Sequence, residues 1–126
     1  MPKSVKLSPE AIDVYRTTML RRRDVEQRER RRRQKYARKV ARQAAVLLKE
    51  KFGATRVVEF GSLAHNYWFS RTSDVDIAAW GLKGEDYFIA VARLQDLSPE
   101  FKVDLVAMEH CKPRLREVIM KGSEPL

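Results

Sequence analysis

The sequence predicts a small α/β protein, an α+β sandwich with helices flanking one sheet and a long helix at its N-terminus. Three observations carry that prediction. No Pro or Gly falls between Pro9 and Gly53, so the chain has a 43-residue window without a strong helix breaker. Three later runs, "RVVEF", "SDVDIAAW" and "FKVDLVAM", are rich in β-branched and apolar residues and are short enough for strands. The segments between and after them carry helical periodicity. That alternation gives an α-β-α-β-α-β-α order, which folds as layers of helix on sheet.

Each element has its own signal. Ser8-Pro9-Glu10 reads as a helix start: Ser8 accepts a backbone N–H, Pro9 is preset for the first helical position and Glu10 suits the positive end of the dipole. Good helix formers follow, so one long helix or two consecutive ones should cover about residues 9–51. Ile12, Tyr15, Met19 and Leu20 make one apolar stripe, and Tyr36, Val40, Ala44, Leu47 and Leu48 make a second. Between them "EQRERRRRQK" holds no apolar residue, so this stretch must be solvated or held by a partner. The first stripe is thereby cut off from the domain, and residues 8–22 are expected to contact a second protein chain, either another copy or a cognate partner.

Gly53 is suited to a left-handed cap. "RVVEF" then makes a buried strand ending at Gly61, and "LAHNYWF" a short helical turn. Residues 73–80 make the second strand, and residues 84–97 a helix with Tyr87, Phe88, Val91 and Leu94 facing inward. Residues 101–108 make the third strand, and "KPRLREVIMK" a closing helix with Pro113 in its first turn.

Charge divides the chain as the elements do. Residues 1–52 hold 17 Lys and Arg against 6 Asp and Glu, and residues 53–126 hold 9 against 11, so the net charge of +9 belongs to the first segment. The expected organisation is a basic helical arm over 1–52 and a catalytic-type domain over 53–126. Cys111 is the only cysteine, which excludes an internal disulfide and points to a cytoplasmic location. No apolar run is long enough to span a bilayer, and "MPKSVKLSPE" lacks the apolar stretch of a signal peptide, so no membrane role is expected.

The chemistry lies in "FGSLAHNYWFSRTSDVDIAAW". On a strand, residues i and i+2 share a face, so Asp74 and Asp76 present two carboxylates side by side. Their repulsion next to the apolar "IAAW" calls for a counter-charge: Arg or Lys, a helix N-terminus, or a hard divalent cation. Asp104, flanked by Val103 and Leu105, is a third carboxylate on an apolar strand and would converge on the first two if the strands are neighbours. On the other side of the site, Gly61 lets a phosphate approach the backbone and Ser62 adds a hydroxyl. A phosphate cradle facing a carboxylate cluster describes a nucleoside triphosphate site.

These residues resemble a known family. "GSLAH", then "SDVDIAAWG", then "VDLV" downstream is similar to the minimal nucleotidyltransferase (MNT) domains of the polymerase β superfamily, over roughly residues 40–120. The resemblance implies a polymerase-β-like sheet and transfer of a nucleoside monophosphate, AMP from ATP, to a hydroxyl. It assigns Gly61, Ser62 and Ser73 to the nucleotide, and Asp74, Asp76 and Asp104 to catalysis and to one or two Mg²⁺ ions. It also implies the antitoxin of a HEPN/MNT toxin-antitoxin pair, which adenylylates a HEPN-type toxin protein. The spacing from Ser62 to Asp74 is one residue longer than the family's pattern, and Asn66 stands where many members carry glycine. Two other readings stay open: an antitoxin or scaffold that acts by binding alone, and a basic module that contacts nucleic acid through the Arg-rich segment. The N-terminal helix also admits a homo-oligomer.

Overall fold

A computed structural model of the chain describes residues 8–61, 64 and 74–126. Helix α1 (Pro9–Phe52) is a single continuous helix, about 66 Å long at 1.5 Å per residue. Ser8 caps it as its sequence promised, with the Ala11 N–H donating to Ser8 Oγ at 3.1 Å. Gly53 ends it at φ 71°, donating its N–H to the Leu48 carbonyl.

Strand β1 (Arg56–Phe60), strand β2 (Val75–Trp80), helix α2 (Tyr87–Gln95), strand β3 (Val103–Ala107), helix α3 (Pro113–Gly122) and the short strand β4 (Glu124–Pro125) complete the fold, with 3₁₀ turns at Gly84–Asp86 and Met108–His110. The sheet order is β3-β2-β1-β4. β1 runs antiparallel to β2 and β4, while β3 runs parallel to β2, so α2 serves as the crossover between β2 and β3. β4 had no sequence signal: two residues of "SEPL" pair with Val58 and Glu59, and the Leu126 N–H donates to the Val57 carbonyl.

Alternation sorts the strand side chains onto two faces. Val57, Val75, Ile77, Ala79, Val103 and Leu105 pack beneath α1 and α2. Val58, Ala78 and Met108 pack on the opposite face with Ile119 of α3. The last third of α1 belongs to the first core: Ala37, Val40, Ala41, Ala44, Ala45 and Leu48 are buried. The second apolar stripe is thus correct at Val40, Ala44 and Leu48, but three further alanines, Ala37, Ala41 and Ala45, supply the other half of the buried face. Tyr36 lies at its rim, its ring 5.6 Å from that of Phe101.

Phe88 departs from expectation. It is 80% exposed, because the inward face of α2 runs Tyr87, Ala90, Val91 and Leu94. One residue is a rotation of about 100°, which carries Phe88 off that face. The short helical turn expected at "LAHNYWF" lies outside the described residues except for Ala64. Along the arm, Ile12, Tyr15 and Leu20 remain exposed in the monomer, as their separation from the domain required. Among the described residues no helix is long and apolar enough to cross a membrane.

β3 is an edge strand whose outer backbone groups are met by side chains of α2. Gln95 donates to the Val103 carbonyl at 2.5 Å and accepts from the Val103 N–H at 3.3 Å, imitating a neighbouring strand's peptide. The Tyr87 hydroxyl donates to the Leu105 carbonyl at 2.7 Å. Gln95→Ala should therefore lower the unfolding free energy by about 1–3 kcal/mol, as expected for leaving part-buried backbone groups unpaired, with the midpoint read from urea denaturation. Faster amide exchange at Val103 would accompany it.

Candidate functional site

The site is set by the pairing of β2 with its two neighbours. In the parallel ladder Asp76 is the register partner of Asp104. Neighbouring strands lie about 4.8 Å apart, so these two carboxylates stem from adjacent backbone positions on one face. On the other side Asp76 pairs with Phe60, the last residue of β1. Gly61 follows in a left-handed conformation, φ 70°. The backbone angle favours glycine there, and a Cβ at Gly61 would run into the Asp76 carboxylate and push it aside. Asp74 precedes β2 by one residue and is half-buried.

Electrostatics bear out the crowding. The Asp76 pKa is pushed up to about 6, first by burial and then by the charges of Asp104 and Asp74, with Lys102 pulling it down. Lys102 was not foreseen. It stands two residues before Asp104, and its Nζ lies 3.5 Å from Asp104 Oδ1. Both partners are well exposed, so this pair is weak and open to exchange for another cation. The signal available in the sequence was the i, i+2 spacing in "FKVDLV", which puts Lys102 and Asp104 on one face.

The structure thus brings Gly61, Asp76 and Asp104 together, with Asp74 near enough to act on Asp76. Ser62 and Ser73 lie outside the described residues. Among the described residues no group of three or more acidic, His or Cys side chains is gathered closely enough to hold an ion as it stands. The donor set nonetheless suits a hard cation: carboxylate oxygens, crowded by like charge and by burial, which a positive ion would relieve.

The opposite face holds a second unusual carboxyl. Glu59 is 7% exposed on β1, and its Oε2 has no hydrogen-bond partner among the described residues. Burial raises its pKa; Arg38 opposes this, Glu124 of β4 adds to it and Arg42 opposes it. Its register partner is Glu124, so it faces α1 and not the Asp76 side.

No protein-family model matches the chain, and no curated protein matches it significantly. Solved structures do. A protein described as a minimal nucleotidyltransferase is 27% identical at a TM-score of 0.60, over 74% of this chain and 95% of its own. A toxin-antitoxin structure with AMP-PNP matches at 20% identity and a TM-score of 0.54 over 64% of this chain; the match spans just under two thirds, 66%, of that relative. A mutant of the MntA-HpeT toxin-antitoxin, bearing two aspartate-to-glutamate changes, matches at 18% identity and a TM-score of 0.57 over 68% of this chain and 70% of its own. With its mixed sheet, long leading helix and paired aspartates, the chain carries a domain of the minimal nucleotidyltransferase type.

Because the folded pKa of Asp76 lies above its ordinary 3.8, the native state holds the proton more tightly than the unfolded chain does. Stability without divalent ions should be greatest below about pH 4 as far as this group is concerned, and should fall as pH rises through about 6. Asp76→Asn should accordingly melt higher than wild type at about pH 7.5, with the gap closing by about pH 4, measured by scanning calorimetry in EDTA. Gly61→Val should abolish nucleoside triphosphate binding in isothermal titration, since its side chain would occupy the space beside the Asp76 carboxylate.

Proposed function

We propose that the protein is a Mg²⁺-dependent nucleotidyltransferase that moves AMP from ATP to a hydroxyl of a partner protein, acting as the antitoxin of a HEPN/MNT pair. The observation that carries this reading is the register of Asp76 with Asp104 beside a glycine that leaves the backbone open. Support for nucleotide binding comes from the AMP-PNP complex among its structural relatives, and for a toxin partner from the two toxin-antitoxin structures. The two aspartates changed in one relative stand two positions apart, as Asp74 and Asp76 do.

Asp74, Asp76 and Asp104 would hold one or two Mg²⁺ ions, which supply positive charge for the triphosphate and the departing pyrophosphate. The chain's own residues do the rest. Gly61, with Ser62 and Ser73, admits and orients the triphosphate. Asp104 accepts the proton of the acceptor hydroxyl, whose oxygen bonds to the α-phosphorus as the bond to the β-phosphate oxygen breaks. The exposed stripe of Ile12, Tyr15 and Leu20 offers the partner an apolar contact.

The test is incubation with α-labelled ATP and Mg²⁺ in a lysate containing the product of the adjacent gene. Label should appear on one protein band. Asp74→Asn combined with Asp76→Asn should remove at least 99% of that label while leaving the circular dichroism unchanged, because ligand charge is lost at nearly constant volume. Undiminished labelling by the double variant would reject the assignment.

A further inference from the structure

The transferase reading makes no use of the middle of α1. Between residues 21 and 32 the helix carries seven arginines against Asp24, Glu26 and Glu29, a surplus of four positive charges, and every one of these residues is exposed. At about 100° per residue the arginines do not line one face: Arg21 and Arg28 lie on one side, Arg23 and Arg30 nearly opposite, and Arg22 and Arg31 flank them. Each acid has an arginine four positions later, at Arg28, Arg30 and Arg33, a spacing that supports the helix while leaving the surplus of charge.

We infer that this segment binds duplex DNA, lying in the major groove with its arginines reaching the phosphates of both walls. Three features favour that occupant. A helix with its side chains is about 10–12 Å across, close to the roughly 12 Å width of the B-form major groove. Cations on all sides suit a groove with phosphate on two flanks, whereas an acidic protein surface would need them on only one. Val25 is the sole apolar residue from 21 to 35, so the segment lacks the apolar centre of a protein interface but has the polar, strongly basic character of a nucleic-acid contact. A second copy is disfavoured, since two such segments side by side would repel. The inference is independent of catalysis.

Fluorescence anisotropy with the full chain and a 24-base-pair DNA duplex, titrated from 50 to 200 mM KCl, tests it. The logarithm of affinity should fall with the logarithm of salt at a slope of about −4 or steeper, roughly −0.9 for each phosphate neutralised. The triple variant R28Q/R31Q/R32Q should bind at least tenfold more weakly at 100 mM KCl with a slope shallower by about 2 to 3. The charge-preserving R28K/R31K/R32K should keep the wild-type slope and guards against an effect on folding. No binding at 50 mM KCl, unchanged affinity in the glutamine variant, tighter binding to an RNA duplex of the same sequence, or displacement by polyglutamate as readily as by competitor DNA would each overturn it.

Discussion

Strand β2 is the element on which the rest depends, because it is bonded on both sides and in opposite senses. Its antiparallel partner β1 delivers Gly61 to the Asp76 carboxylate, and its parallel partner β3 delivers Asp104 to the same point. A slip of one residue in either ladder would turn every side chain of that strand to the other face and disperse the site. What prevents the slip is the apolar alternation: Val75, Ile77 and Ala79 must face α1 and α2, and their burial obliges Asp76 to face away. The hydrophobic core thereby fixes the position of a charge it does not contain.

The arrangement works against stability. Asp76 is partly withdrawn from water and crowded by two like charges, with the exposed Lys102 in opposition. A domain of this size has a small margin of stability, and a carboxylate held in such surroundings consumes some of it. The trade is typical of sites built to receive a positively charged ligand: charge repulsion in the free protein becomes attraction once the ligand is bound.

Much of this was legible in the sequence because it rests on period and punctuation. The two-residue period of "DVDIAA" and the breaker at Gly61 gave β1, β2 and the facing of Asp76, and Ser8-Pro9 and Gly53 gave the two ends of α1 to within a residue. The failures have physical reasons. Phe88 is large and apolar but sits about 100° from Tyr87 on α2, and the small Ala90 takes the inward position instead. The alanines at 37, 41 and 45 carry little hydrophobic signal, although a close helix-on-sheet contact prefers small side chains. Strand β4 is two residues long, too short for any period, and Lys102 shows its role only once Asp76 and Asp104 are known to be neighbours. Parallel pairing itself has no local signature, since it joins residues separated by a whole helix.

The continuity of α1 has a consequence for how the arm holds its shape. Starting a helix in water is costly, while adding a residue to one already formed is nearly neutral. The packed end from Ala37 to Leu48 is formed with the core, so it is a permanent nucleus from which the basic segment need only propagate. The arm is a helix grown from the domain, not one that must assemble in isolation. Its order should fade as a gradient: slow amide exchange beside Ala44, progressively faster exchange towards Ser8, and no boundary between a rigid part and a loose one. A projecting rod of this kind can be lengthened or shortened turn by turn in evolution, changing its reach by about 5.4 Å each time while the sheet that templates it stays the same.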